Sequence, residues 1–248
     1  MGRFDDWVAL ISGGARGMGA SHVRGLLAEG AEVIFGDILD DEGKLLEEEL
    51  GESAHHVHLD VTKEDDWKYA LAAAEREYGP IRLLVNNAGV VAYGKVDEME
   101  PDEFRRVIDI NLTGTFLGMH YGVPSMRKAG GGAIINISSI AGLMGYATIS
   151  AYGASKWGVR GMTKAVAMEL GNDDIRVMSI HPGLIRTPMT EGIGDEITMS
   201  QPIKRIGEPE EVTKLLMFLA ADATYITGSE WVVDGGAVLG PVIDIPQE

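Results

Sequence analysis

The sequence of 248 residues contains no cysteine, only 6% aromatic residues and no long apolar run. Without cysteine the chain has no disulfide, no thiolate ligand for a metal ion and no cysteine nucleophile. No apolar run approaches the roughly 20 residues that a membrane-spanning helix needs, and the first six residues do not resemble a signal peptide. We therefore expect a soluble protein of the cytoplasm that spans no membrane.

Positive charge is also scarce, since 21 lysine and arginine residues stand against 38 acidic residues and give a formal net charge of -17. A strongly negative protein repels the phosphates of nucleic acids and the anionic lipids of a membrane surface. The sequence thus disfavours nucleic acids as partners. We interpret the excess of acidic residues as a solvated surface.

Short apolar segments alternate along the chain with longer segments of helical periodicity. The predicted strands lie at residues 8–11, 33–35, near 57, 83–85, 133–138, 175–180 and 231–233. The predicted helices lie at residues 18–28, between 37 and 50, and at 64–78, 101–128, 152–170 and 208–221. This alternation implies right-handed crossovers and a sheet buried on both faces. We predict a single α/β domain over residues 1–248, with a Rossmann-like, doubly wound parallel sheet and helices on both faces.

One long stretch, residues 188–207, has no clear periodicity. It lies close after a predicted strand end, which is typical of a lid over a substrate site. Met189, Ile193, Ile197 and Met199 would give such a lid an apolar inner surface. The alternative is a mobile surface loop.

A glycine cluster follows the first predicted strand. Gly13, Gly17 and Gly19 would let a pyrophosphate approach the N-terminus of the next helix, although a turn that only packs strand on helix is the alternative. Asp37 ends the second strand, 18 residues after Gly19, where a carboxylate can accept hydrogen bonds from ribose hydroxyls and repel a 2'-phosphate. These features predict NAD in preference to NADP, while Arg16 in the loop can support a phosphate.

A second group of residues is suited to acid/base chemistry. Tyr152 and Lys156 are four residues apart and share one face of a helix, so the ammonium can lie near the phenol. Lowering a phenol pKa from about 10 to about 7 requires roughly 4 kcal/mol, which one charge about 4 Å away supplies at a dielectric of about 20. Ser139 comes directly after the fifth predicted strand, where it can hydrogen-bond a substrate carbonyl. The alternative is a Tyr and a Lys on an exposed helix face.

Together these motifs resemble the short-chain dehydrogenase/reductase family over nearly the whole chain. The matching motifs, after the glycine loop, are Asp60-Val61, Asn86-Asn87-Ala88-Gly89, Asn111, Ser139, Tyr152-x-x-x-Lys156, Pro182-Gly183 and Thr187. The resemblance implies a one-domain oxidoreductase with a nicotinamide cofactor. Within the family, residues 13–17, 141–145 and 152–161 are similar to bacterial NAD-dependent 3α/20β-hydroxysteroid dehydrogenases.

The resemblance also implies a role for each matching residue. Tyr152 is expected to be the acid/base, Ser139 to position the substrate oxygen, and Lys156 to bind the nicotinamide ribose while lowering the Tyr152 pKa. Asn111 is expected to hold a proton-relay water, with a buried amide that braces two helices as an alternative that is compatible with this role. The expected cofactor contacts, besides Tyr152 and Lys156, are Gly13, Arg16, Gly17, Met18, Gly19, Asp37, Asp60, Val61, Asn87, Ile185 and Thr187. Of these, Asp60 and Val61 would contact adenine, Asn87 the adenosine-side ribose, and Ile185 and Thr187 the nicotinamide carboxamide.

The leading functional hypothesis is hydride transfer between NAD(H) and a hydroxysteroid or another hydrophobic secondary alcohol or ketone. A 3-ketoacyl carrier-protein reductase is an alternative, against which Asp37 and the charge of -17 argue. A catalytically silent NAD-binding protein is another, because a fold alone does not determine function. A sugar epimerase would need a larger C-terminal domain than the 12 residues that follow Gly236.

Two remaining features are the histidines and the C-terminal tail. His55, His56 and His58 lack a further ligand at suitable spacing, so we predict no metal site and interpret them as part of a strand in contact with water. The apolar tail, residues 237–246, suggests packing across a subunit interface in the homotetramer usual for relatives. The alternative is a tail folded on its own subunit.

Overall fold

Seven parallel strands form one sheet in the computed structural model, which describes residues 2–242. The strands are β1 Val8–Ser12, β2 Glu32–Asp37, β3 Ala54–His58, β4 Leu83–Asn86, β5 Gly132–Ile137, β6 Ile175–Pro182 and β7 Glu230–Val233. Their order is β3-β2-β1-β4-β5-β6-β7. The direction of winding reverses between β1 and β4, and ligands bind outside the carboxyl ends of strands at such a reversal.

Helices cover both faces of the sheet. They are α1 Gly17–Ala28, α2 Asp40–Leu50, α3 Glu64–Glu77, α4 Pro101–Ile108, α5 Gly114–Lys128, α6 Ser150–Leu170 and α7 Pro209–Met217. One core cluster joins the sheet to α1, α2 and α7, and the other joins it to α3, α5 and α6. Because both faces are covered, β1 is buried at every position. The predicted fold class is confirmed.

The helix predicted over residues 101–128 is divided in the structure. A π-helical turn, Asp109–Thr113, separates α4 from α5. A second π-helical turn, Phe218–Asp222, follows α7. A π turn inserts one residue without ending the helix, so the whole segment still has the sequence pattern of a helix. No helix within residues 2–242 is long and apolar enough to cross a membrane.

The histidines of β3 differ from the prediction in one respect. His56 is buried, with its ring centroid 5.4 Å from that of Phe35, so the interpretation of a water-exposed strand is wrong at this position. Helix α2 covers β3 here, and Gly43 leaves room for the imidazole, since a Cβ at Gly43 would lie 2.2 Å from the ring. His58 is exposed and its Nδ1 lies 2.9 Å from the Asp40 carboxylate. Across residues 2–242, no three His, Cys, Asp or Glu side chains are grouped so that they could hold a metal ion.

Candidate active site

The glycine loop connects β1 to α1 and leaves the start of this helix open. Gly13 and Gly17 have φ values of 67° and 57°, in the left-handed region that favours glycine. A Cβ at Gly19 would lie 1.9 Å from the Gly13 carbonyl oxygen. No side chain caps the helix and its first turn carries no acidic residue. The N–H groups of this turn and the positive end of the helix dipole are therefore suited to an anion.

A cleft of about 460 Å³ runs from this loop along the ends of the first strands. Ten of the thirteen predicted cofactor contacts line it, namely Gly13, Arg16, Gly17, Met18, Gly19, Asp37, Asp60, Val61, Asn87 and Thr187. Ile185 and Tyr152 line the neighbouring cleft instead. Lys156 lines neither cleft and is only 3% exposed. The structure thus brings most of the predicted set together along one groove.

Asp37 is held firmly at the end of β2. Its two carboxylate oxygens accept hydrogen bonds from the backbone N–H groups of Ala15, at 3.1 Å, and Leu39, at 3.2 Å. The side chain is only 9% exposed, and it borders the cleft beside the exposed side chain of Ile38. A carboxylate fixed in this way presents negative charge to whatever occupies this end of the cleft.

Asn87 joins β4 to the glycine loop. Its Nδ2 donates hydrogen bonds to the backbone oxygens of Ser12, at 3.2 Å, and Gly13, at 2.9 Å. Its Oδ1 is buried and has no hydrogen-bond partner among the described residues. A buried acceptor without a donor is rare in proteins and points to a ligand or water donor. This atom therefore fits a hydroxyl group bound in the cleft.

A second cleft, of about 450 Å³, opens at Ser139 and Tyr152. The two clefts meet, because both are lined by Met18, Val91, Thr187 and Met189. We call the first one the cofactor cleft and the second one the substrate cleft. Molecules bound in the two clefts would touch at these shared residues.

Ser139 lies two residues after the end of β5 and caps the short 3-10 helix Ile140–Gly142. Its Oγ accepts a hydrogen bond of 3.1 Å from the backbone N–H of Ala141. This contact uses the hydroxyl as an acceptor. The O–H of Ser139 is left to donate towards the substrate cleft.

Tyr152 and Lys156 lie on successive turns of α6, with Nζ of Lys156 5.5 Å from the centre of the Tyr152 ring. The ammonium donates a hydrogen bond of 2.8 Å to the Ile137 carbonyl. Burial lowers the Lys156 pKa to about 8, because the charged form loses its hydration.

In the protein chain itself the pKa of Tyr152 is raised, whereas the sequence predicted a lowered pKa. Burial raises this pKa, the Ser139 hydroxyl opposes the effect, and Tyr93 adds to it. The lowering of the Tyr152 pKa by Lys156 stays a prediction. The cost of desolvating a phenolate exceeds the effects of the polar groups around it.

Asn111 lies in the π-helical turn and is fully buried. Its Oδ1 accepts from Val90 N–H at 2.8 Å, and its Nδ2 donates to Val90 O at 2.9 Å and to Ser155 Oγ at 3.0 Å. Ser155 Oγ in turn donates to the Tyr152 carbonyl at 2.7 Å. The side chain thus braces the segment after β4 against α6, which is close to the alternative role named above.

Known proteins match this chain over almost its full length. A family model described as enoyl-(acyl carrier protein) reductase, a short-chain dehydrogenase model, matches residues 13–238. The chain belongs to the short-chain dehydrogenase/reductase family. It is similar to a 3-alpha-(or 20-beta)-hydroxysteroid dehydrogenase of Mycobacterium tuberculosis, with 51% identity over 96% of this chain and 92% of the relative. It is also similar to a trans-4-hydroxycyclohexanecarboxylate dehydrogenase of Sinomonas cyclohexanicum, with 48% identity over 96% and 95%, and to a cyclohexanol dehydrogenase of an Acinetobacter species, with 41% identity over 94% and 95%.

Membership of the short-chain dehydrogenase/reductase family makes this chain an oxidoreductase that uses a nicotinamide cofactor. The family assignment predicted from the motifs is thereby confirmed. The joined clefts agree with it, since the cofactor and the alcohol or ketone must lie side by side for hydride transfer.

Residues 188–207 border the substrate cleft. Met189, Ile193 and Ile197 line it as predicted, whereas Met199 is 56% exposed and does not. As far as it is described, the tail contacts its own chain, since Val242 N–H donates to Ser200 O at 2.8 Å, and its packing across a subunit interface stays a prediction. Residues 243–246 of the predicted interface segment lie outside the described residues.

Two kinds of residue in the site were not predicted individually. Tyr93, Met144 and Tyr146 line the substrate cleft, but an aromatic residue or methionine in a loop carries no sequence signal of its own. His181 was also missed. It is fully buried, and its imidazole contacts the backbone of Ser139.

Proposed function

We propose that this protein is an NAD(H)-dependent dehydrogenase that interconverts an uncharged, hydrophobic secondary alcohol and its ketone. The observation that supports this most directly is the substrate cleft. It contains Ser139 and Tyr152, it meets the cofactor cleft at the residues that line both clefts, and none of its lining residues within the described range carries a formal charge. A mainly apolar cleft with some polar groups among its lining residues is typical of sites for small hydrophobic ligands.

The cofactor cleft fits NAD. The uncapped start of α1 is suited to the pyrophosphate, and the unpartnered Asn87 Oδ1 is suited to a ribose hydroxyl. Asp37 would accept hydrogen bonds from the adenosine ribose and repel the 2'-phosphate of NADP. Asp60 and Val61 would contact adenine, while Ile185 and Thr187 would contact the carboxamide. When bound, the nicotinamide ring would accept or give the hydride.

The residues of the chain would handle the proton. In ketone reduction the Tyr152 phenol would donate its proton to the substrate oxygen, while the Ser139 O–H holds that oxygen by a hydrogen bond. A raised phenol pKa keeps Tyr152 protonated at neutral pH, which suits this direction. Lys156 would bind the nicotinamide ribose, and Asn111 would position α6 and hold a proton-relay water.

The nature of the substrate follows from the absence of charge. A carboxylate in an apolar cleft needs a cationic partner to offset its desolvation, and the described lining of the substrate cleft offers none. We therefore favour a neutral ketone, such as a ketosteroid or a cyclic ketone, over a keto acid. The relatives named for hydroxysteroids and for cyclohexanol support this class of substrate.

Residues 188–207 would act as a lid over this substrate. The segment is attached at both ends, because Thr190 Oγ1 donates to Ile185 O at 2.6 Å and Ile203 N–H donates to Gly235 O at 3.0 Å. Its apolar side chains Met189, Ile193 and Ile197 face the cleft and would exclude water from the reaction.

We further propose a homotetramer in the cytoplasm. Phe104, Phe116 and Trp157 are 40–48% exposed on α4, α5 and α6, and exposed aromatic side chains on neighbouring helices favour association. Light scattering should give a native mass four times that of one chain. Deletion of residues 240–248 tests the tail, and an unchanged mass would exclude the tail from the subunit interface.

The test of function is consumption of NADH and NADPH with a 3-keto or 20-keto steroid, cyclohexanone, 4-oxocyclohexanecarboxylate and a ketoacyl thioester. We expect NADH oxidation with the steroid or the neutral cyclic ketone, and little with the carboxylate.

Tyr152→Phe should abolish turnover while NADH binding, followed by fluorescence, stays nearly unchanged. Wild-type turnover in that variant would contradict the mechanism, and no turnover of any ketone by the wild-type protein would favour a silent NAD-binding protein.

A further inference from the structure

A buried histidine that the reaction does not use directly lies behind Ser139. His181 is the next-to-last residue of β6, and both it and Ser179 are 0% exposed. The His181 Nδ1 lies 2.9 Å from the Ser139 carbonyl oxygen, and its Nε2 lies 2.9 Å from Ser179 Oγ. The imidazole therefore connects the centre of the sheet to the backbone of the residue that would hold the substrate oxygen.

The contacts determine the tautomer of the ring. A carbonyl oxygen only accepts hydrogen bonds, so Nδ1 carries the proton and donates it to Ser139 O. In the neutral ring Nε2 is then an acceptor, and the Ser179 hydroxyl donates to it. Burial lowers the His181 pKa, which keeps the ring neutral and this arrangement intact.

His181 lies where the backbone hydrogen bonding between β5 and β6 ends. The backbone ladder between β5 and β6 still holds Ser138, whose N–H donates to Ile180 O at 2.8 Å. One residue later, at Ser139, the chain turns into the 3-10 helix. Here the His181 side chain, instead of a backbone group of β6, forms the hydrogen bond to the chain after β5. The Ser139 carbonyl then accepts two hydrogen bonds, from Gly142 N–H at 2.9 Å and from His181.

We propose that His181 is a positioning residue for the reaction, whose hydrogen bond to the Ser139 backbone fixes the direction in which the Ser139 hydroxyl points. With the carbonyl held on one side and Oγ held by Ala141 N–H on the other, Ser139 has little freedom to rotate. Its O–H is thereby directed at the substrate oxygen before the substrate binds. This inference rests on the proposed role of Ser139 in substrate binding.

Three substitutions of His181 separate positioning from simple packing. In asparagine the N–H donor Nδ2 lies two bonds from Cβ, as Nδ1 does in histidine. In glutamine the donor Nε2 lies one bond further from Cβ, and leucine has no donor. We expect His181→Gln and His181→Leu to lower kcat for ketone reduction about tenfold or more, because a buried carbonyl loses a donor. His181→Asn should stay within about threefold of wild type. The Kd for NADH should change less than twofold in all three, since the ring of His181 hydrogen-bonds to Ser139 and Ser179 and not to the glycine loop.

The melting temperature is measured beside the kinetics, because a merely structural role would lower kcat in proportion to the loss of stability. Equal kcat values for the Asn and Gln variants would overturn the proposal, and so would a loss in all variants that follows the melting temperature. Should one variant fail to fold, Ser179→Ala serves instead. That variant removes the donor to Nε2, so the ring is held by hydrogen bonding on one side only, and we expect kcat to fall about threefold with the fold intact, whereas an unchanged kcat would count against the inference.

A double-mutant cycle separates this inference from the proposed function. Ser139→Ala alone should lower kcat strongly, and wild-type turnover in that variant would refute the role of Ser139 itself. In the Ser139→Ala background, His181→Gln should have little further effect on the residual rate, because the residue it positions has lost its hydroxyl. A full and additive tenfold loss would show that His181 acts by another route.

Discussion

Replacement of Lys156 by methionine should make the protein more stable at pH 7 while it stops catalysis. Lys156 is 3% exposed, and burial lowers its pKa from 10.5 to about 8. At 1.36 kcal/mol per pH unit, holding the charged ammonium inside the folded protein costs roughly 3 kcal/mol at neutral pH. Methionine has a similar shape and carries no charge, so it avoids this cost.

One contact opposes the gain. The ammonium donates to Ile137 O at 2.8 Å, and a buried carbonyl that loses its donor costs about 1–3 kcal/mol. The expected net gain at pH 7 is therefore about 1–2 kcal/mol or less. The pH dependence is the sharper test, because the lost hydrogen bond contributes equally at every pH.

The sign of the pH dependence follows from proton binding. Between pH 8 and 10.5 the unfolded wild-type chain binds more protons at Lys156 than the folded protein does, so raising the pH favours the folded state. The advantage of Lys156→Met should therefore shrink by about 2 kcal/mol between pH 7 and pH 9.5. Urea unfolding at both pH values measures it, with Lys44→Met on the exposed face of α2 as a control for the loss of one charge. Parallel stabilities of wild type and Lys156→Met across this range would refute the reasoning.

Three other predictions follow from the two clefts. Asp37→Ala should weaken NAD binding and raise kcat/KM for NADP relative to NAD at least tenfold, and an unchanged ratio would contradict the role given to Asp37. Gly19→Ala should raise the Kd for NADH at least tenfold in a fluorescence titration, because its Cβ would lie 1.9 Å from Gly13 O; native affinity would show that the loop tolerates displacement. Since the Tyr152 pKa is raised, ketone reduction should keep its rate through neutral pH and alcohol oxidation should accelerate into the alkaline range. Initial rates in both directions from pH 6 to 10 test this, and oxidation that is independent of pH would argue against Tyr152 as the base.

The fold was predictable because its signals are local. The run Val8–Ser12 is buried at all five positions, and such short apolar runs between amphipathic segments leave few alternatives to a parallel sheet. The glycine loop and Asp37 were predictable for the same reason, since only a few residues in sequence separate each from a strand end. The role of Tyr152 could not be predicted from its own motif alone, because its partners Ser139 and Asn111 belong to other elements of the fold.

Features that depend on contacts between distant segments were not predictable. His56 is buried because Gly43 on α2 makes room for it, and neither residue alone indicates this. Asn111 lies in a π-helical turn, and the periodicity of the surrounding sequence is too coarse a signal to reveal its one extra residue. The raised pKa of Tyr152 was not predictable, because it depends on the burial of the phenol by residues that are distant in sequence.

The net negative charge of the protein is compatible with an anionic cofactor, because the two interactions act over different distances. The net charge of -17 repels a polyanion through many charges at a distance from it, and salt weakens this repulsion beyond a Debye length of about 10 Å. The pyrophosphate of a dinucleotide would instead meet the uncapped N–H groups of α1 at hydrogen-bond distance, with the exposed Arg16 beside them. Local donors of this kind outweigh a screened, distant charge. The same composition that disfavours nucleic acids therefore leaves a site for a single dinucleotide.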